Sequence, residues 1–161
     1  MSARVSVLSV FVFAVAVLQA RCDGFYVNAL SRVVVPDGGS ALRSAVGGGF
    51  ALGVPVGEKL SLEAESVVLE NDVLLSARAL CFFSALEEFD LLFGHERFDP
   101  FFTVGALSLV RAAVAGPEIG VGSYYYLSDT AAFRFDAGVS ELLGGSGDLM
   151  YSFSVAFQQT F

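Results

Sequence analysis

Tyr151-Ser152-Phe153-Ser154-Val155-Ala156-Phe157-Gln158-Gln159-Thr160-Phe161 closes the chain. Tyr151, Phe153, Val155, Phe157 and Phe161 stand at alternate positions, with Gln159 the one exception on their face; Ser152, Ser154, Ala156, Gln158 and Thr160 take the other. Period two places successive side chains on opposite faces of a β-strand. A strand lying over a soluble core normally turns lysine and glutamate to water, and this one has neither. Its large apolar face and small, weakly polar face fit a barrel wall with lipid outside and a narrow interior.

The same alternation recurs upstream. In 130–139, Ala131, Phe133, Phe135, Ala137 and Val139 alternate with Ala132, Arg134, Asp136 and Gly138. In 60–69, Leu60, Leu62, Ala64 and Val68 alternate with Ser61, Glu63 and Glu65, and in 73–83 Val73, Leu75, Ala77, Ala79, Cys81 and Phe83 stand opposite Ser76 and Arg78. In 42–54, Leu42, Val46, Phe50, Leu52 and Val54 alternate with a mostly Gly and Ala set that includes Arg43. Segments near 25–35, 101–111 and 118–127 read as strands with less regular patterns. Turn chemistry falls at Pro36-Asp37-Gly38-Gly39, Val56-Gly57-Glu58, Glu70-Asn71-Asp72, Ala115-Gly116-Pro117, Leu127-Ser128-Asp129 and Gly144-Gly145-Ser146-Gly147. The connection 85–99 is the longest, with room for a helical turn around 86–91.

A tilted strand of about ten residues crosses a bilayer. In hydrocarbon an open sheet edge would leave backbone N–H and C=O groups without partners, so the sheet must close. The expected fold is all-β: a closed, eight-stranded, antiparallel, up-and-down transmembrane β-barrel following an N-terminal signal peptide. The competing architecture is a soluble periplasmic β-sandwich that binds a ligand. It would need charged outer faces, and the second faces here carry mainly Gly, Ala and Ser.

Composition agrees. The 161 residues suit one domain, and the chain is 55% hydrophobic and only 16% charged. The net charge of −8, with Lys59 the single lysine, leaves no basic stripe for nucleic acid. Arg4 precedes an apolar run over 5–20 that ends in small residues, the layout of a secretory signal peptide. The run is shorter than the roughly 20 residues of a spanning helix. Residues 1–22 are therefore assigned to the signal and 23–161 to the barrel. Arg21, directly before Cys22, argues against lipidation there. Loss of Cys22 leaves Cys81 without a disulfide partner. His95 is the only histidine, so no metal-ligand spacing exists and no cofactor is expected.

Four segments carry a family likeness: Gly24-Phe25-Tyr26-Val27-Asn28-Ala29, Pro100-Phe101-Phe102-Thr103-Val104-Gly105-Ala106, Tyr124-Tyr125-Tyr126-Leu127-Ser128-Asp129 with the alternation that follows, and the terminal Phe161. They resemble the first strand, the fifth strand, the sixth-to-seventh hairpin and the closing strand of OmpA/OmpX-like eight-stranded outer-membrane barrels. The resemblance implies a monomer in the outer membrane of a Gram-negative-type cell, surrounded by outer-membrane lipids. It implies delivery by periplasmic chaperones and the β-barrel assembly machinery, which would read Tyr151, Phe153, Phe157 and Phe161. It also implies a periplasmic N-terminus with connections one, three, five and seven outward. Those connections are short here, whereas adhesive members of the family carry long ones.

On the strand phase, Asn28, Arg32, Arg43, Glu63, Glu65, Arg78, Arg134 and Asp136 point into the lumen. A catalytic reading would treat Glu63 and Glu65 as a carboxylate pair. Buried charges in a barrel barely wide enough for its own side chains must instead be paired. The expected site is a structural ion-pair network of Arg43, Glu63, Glu65, Arg78, Arg134 and Asp136, not a catalytic centre. Tyr124, Tyr125 and Tyr126 would suit an interfacial girdle. The expected role is a non-enzymatic structural protein of the envelope, in its integrity or in surface interaction. The alternatives are an outer-membrane lipid A-modifying enzyme built on His95 and the soluble sandwich.

Overall fold

The computed structural model describes residues 24–37, 42–83, 97–143 and 148–161. The signal segment, the helical turn expected at 86–91 and His95 lie outside them. Eight strands follow one another: β1 (Tyr26–Pro36), β2 (Ala45–Gly57), β3 (Leu60–Leu69), β4 (Val73–Phe82), β5 (Phe98–Leu109), β6 (Val114–Ser128), β7 (Ala131–Glu141) and β8 (Leu149–Thr160). Each pairs antiparallel with the next, and β8 returns to β1, so the sheet is a closed barrel in simple up-and-down order. This is the fold the alternation predicts. Closure removes every sheet edge. The seam is continuous from Tyr26↔Thr160 to Pro36↔Met150, and beyond it the Phe161 N–H donates to Phe25 O at 2.9 Å.

One turn differs from expectation. Ala115, Gly116 and Pro117 lie inside β6, and the connection from β5 runs through 110–113, where Ala113 has a left-handed φ of 55°. Proline is tolerated in a sheet where its missing N–H is not needed. The β6–β7 ladder starts at Glu118↔Ser140 and resumes only as the bridge Ala115↔Leu143, so the gap falls at Gly116 and Pro117.

The two faces of the wall are opposite in kind. Val104, Ile119, Val121, Phe135, Phe153 and Val155 are exposed outside, while Asn28, Arg32, Glu63, Glu65, Arg78, Glu118 and Arg134 are buried inside. A water-soluble barrel has the reverse polarity; this one suits hydrocarbon outside. The lumen itself is layered. Toward the rim formed by the turns β3–β4 and β5–β6, Val34, Leu69, Leu74, Leu109, Leu142 and Met150 fill it. Toward the rim with the chain ends, Leu80, Phe101 and Tyr124 fill it, with Phe82 and Tyr126 packed against them. Phe101 and Tyr124 have ring centroids 5.2 Å apart, and Tyr124 and Tyr126 stack at 6.0 Å. The girdle expected of the three tyrosines is therefore corrected: period two sends Tyr124 and Tyr126 inward and leaves only Tyr125 outside, against Phe98.

Candidate functional site

Between the two apolar layers lies a charged belt. Its members come from β1, β3, β4, β6 and β7, and the antiparallel register puts them at one level of the barrel. Glu63 and Arg78 are direct cross-strand partners. Arg78 Nη2 reaches Glu63 Oε1 at 2.8 Å and Glu65 Oε2 at 2.5 Å. From β7, Arg134 Nη1 meets Glu63 Oε2 at 2.6 Å, and its Nε lies 2.8 Å from Asp136 Oδ2. Asp136 Oδ1 also faces Arg78 Nη1 at 3.4 Å. Asn28 Nδ2 donates to Glu63 Oε2 at 2.9 Å.

Arg32 forms the second centre. Its Nη1 is 2.5 Å from Glu65 Oε1, while its Nη2 pairs with Glu118 and donates to Ser152 Oγ at 2.8 Å. Three guanidinium groups thus interlock with four carboxylates among the described residues, through Glu65, which touches both Arg32 and Arg78. Arg32 and Arg134 have no exposed surface at all. Isolated charges in such a place would cost several kcal/mol each, so every one needs its partner.

Room for these long side chains comes from small residues facing them. The inner face of β2 is Ala45, Gly47, Gly49, Ala51 and Gly53. A Cβ on Gly53 would lie inside the Tyr26 ring, and one on Gly105 would stand 2.7 Å from Arg78 Cα and Cβ. Gly47 and Gly49 admit the backbone of β3, where a Cβ would run into Val68 O and Ser66 O.

Of the residues expected in the network, Glu63, Glu65, Arg78, Arg134 and Asp136 lie together in the belt. Arg43 does not. Its phase is right for the lumen, but the ladder begins only at Val34↔Ala45, so Arg43 lies on the rim and is exposed to solvent. Arg32 takes the place assigned to it, since its position on β1 is in phase and its guanidinium crosses to Glu65. Glu118 was not anticipated. Its signal was the alternation Glu118, Gly120, Gly122, Tyr124, Tyr126, obscured by the Gly-Pro pair before it. Among the C-terminal residues, Tyr151, Phe153, Phe157 and Phe161 all face outward and are exposed. Phe161 stacks on Phe25 at 5.1 Å and Phe157 meets Phe133 edge-on at 5.6 Å.

Chemically, each belt carboxylate engages a guanidinium and the belt is shut between apolar layers. Among the described residues no cluster of His, Cys, Asp and Glu could hold a metal ion.

No protein-family model matches the sequence, and no curated protein does. Solved structures do. Neisserial surface protein A is similar at 12% identity with a TM-score of 0.56, over 85% of this chain and 97% of that one. Ail, the attachment invasion locus protein of Yersinia pestis, is similar at 10% identity and TM-score 0.52, over 86% and 97%. A de novo designed transmembrane β-barrel is similar at 13% identity and TM-score 0.55, over 86% and 97%. At these identities the likeness is one of fold: the eight-stranded transmembrane barrel, the architecture of the OmpA/OmpX-like proteins.

Proposed function

We propose that this protein is a structural component of the outer membrane: a sealed barrel that serves envelope integrity or surface interaction, without conducting solutes and without enzymatic activity. The single observation that carries the reading is the layered lumen, in which an interlocked charged belt lies between two apolar plugs. A conducting pore needs a continuous polar path, and here Leu74, Leu109 and Met150 interrupt it on one side and Phe101 and Tyr124 on the other. An enzyme needs a carboxylate or nucleophile free to meet substrate, whereas Glu63 and Glu65 are each held by two arginines. The apolar outer wall supports the membrane location, and the fold of the similar structures agrees with it.

The test is reconstitution. Purified protein should run faster unheated than heated on a denaturing gel, and should give no resolved conductance steps in planar bilayers. Stepwise conductance would refute the sealed barrel, and recovery as a soluble periplasmic protein would refute the membrane reading.

The exposed aromatic row ending at Phe161 is read as the address recognised by the assembly machinery. Deleting Phe161 should lower insertion in cells while leaving the refolded barrel heat-modifiable. Normal insertion of that variant would overturn this part.

A further inference from the structure

The outer wall is not uniform. Over β5–β8 the register lines up two adjacent outward rows: Phe102, Val121, Ala137, Phe153, and Val104, Ile119, Val139, Tyr151. In the first row both ends are aromatic and the middle is low, with Ala137 lowest. Between the rows Gly120 and Gly138 are direct partners and present only backbone. The inner side explains why both positions are glycine. A Cβ on Gly138 would stand 3.2 Å from Ser152 Oγ and 3.3 Å from Glu118 Oε1, and one on Gly120 would be 2.8 Å from Thr103 Oγ1.

The result is a trough of about 720 Å³. The opposite wall, over β1–β4, carries a different order of side chains. Its corresponding row Ala29, Phe50, Ser66, Leu75 puts the large Phe50 in the interior with small residues on both sides of it.

We infer that this trough is a lipid-binding site that seats the acyl chain of a single membrane lipid. The inference rests on the membrane reading above. The trough is continuous with the lipid-facing band, and Ile119 and Val121, which line it, are 58% and 60% exposed. It carries no charged side chain, so it offers no counter-charge to a headgroup. Within a bilayer the hydrophobic effect does not favour one apolar surface over another; shape and dispersion contacts do. A flexible chain of methylenes can lie along the concave floor between rigid aromatic walls. A second barrel would bring a convex wall that reaches the floor only with isolated side chains. Val139 and Tyr151 are two residues from the β7 and β8 ends, so the trough opens toward the rim of connection seven.

The full-length protein, purified from membranes in mild detergent, is titrated with dimyristoyl phosphatidylethanolamine and followed by native mass spectrometry. Wild type should retain one lipid per barrel under activation that strips the rest. Ala137→Phe, which fills the floor, should lose that retained lipid. Ala64→Phe, on the outer face of β3, should keep it. Ala137→Val is the milder filler should Ala137→Phe not fold. No retained lipid in wild type, or equal retention in Ala137→Phe, would overturn the inference, as would a dimer that Ala137→Phe dissociates. Heat-modifiable migration of the same samples tests the membrane reading separately: a barrel that shifts on heating yet holds no lipid refutes the trough alone.

Discussion

The belt and the outer wall are built from the same strands, one residue out of step. On β7, Phe133, Phe135, Ala137 and Val139 face outward, while Arg134 and Asp136 face in. The inside accepts three buried arginines, two of them with no exposed surface at all, yet the outside of the same strands, through the apolar band, carries no charge. The difference is partnership. In the lumen, carboxylates from the same strand, from neighbouring strands and from across the barrel come within 2.5–2.8 Å of each guanidinium. Across the outer wall, neighbouring side chains diverge and the surroundings are lipid. A charge is stable where geometry supplies its counter-charge, and one residue of phase decides which case applies.

Removing one partner from the belt breaks the comparison most severely. Arg134→Ala leaves Glu63 and Asp136 undercompensated and should destabilise the barrel by roughly 3–5 kcal/mol. The check is urea unfolding in lipid vesicles; a loss below about 1 kcal/mol would mean that the network is not the structural centre. Glu63→Gln on that background should recover part of the loss, because the surplus negative charge goes.

Placing a charge on the other face comes next. Val121→Arg, near the middle of the apolar band, should cost about 2–4 kcal/mol in the same measurement. If the outer wall instead met water, that substitution would be nearly neutral.

Volume limits the inner face as well as charge. Gly53→Ala would overlap the Tyr26 ring and should cost about 1–3 kcal/mol. Pairing it with Tyr26→Phe should not restore the loss, since the ring and not the hydroxyl occupies the space.

Arg43→Ala should change stability by less than about 0.5 kcal/mol, because that arginine lies on the rim beyond the ladder. A loss comparable with that of Arg134→Ala would place Arg43 in the belt after all.

Most of the belt was legible because period two is a local property. Glu63, Glu65, Arg78, Arg134 and Asp136 each sit in a segment whose outward neighbours are apolar, so their inward direction can be read without knowing any partner. Arg43 shows the limit of that reasoning. Phase says which way a side chain would point if the strand extends that far, and the ladder stops at Ala45. Glu118 shows the converse: a Gly-Pro pair marks a turn in most sequences, and here both residues fit within a strand because the ladder to β7 has a gap beside them. The tyrosine triplet failed for a simpler reason. Their place beside a turn suggested a girdle, and alternation, applied residue by residue, sends two of the three inside.

By itself, the sequence determined the strands, their two faces, their number and the inside-out polarity, since each follows from side chains a few residues apart. Which charges meet was decided only by the tertiary structure. Arg32 on β1 finds Glu65 two strands away and Glu118 across the lumen on β6, 86 positions along the chain. Closure and register set those encounters, and so do the glycines on the inner face that leave room for them. No local pattern contains distances across a barrel, because they exist only once the last strand has paired with the first.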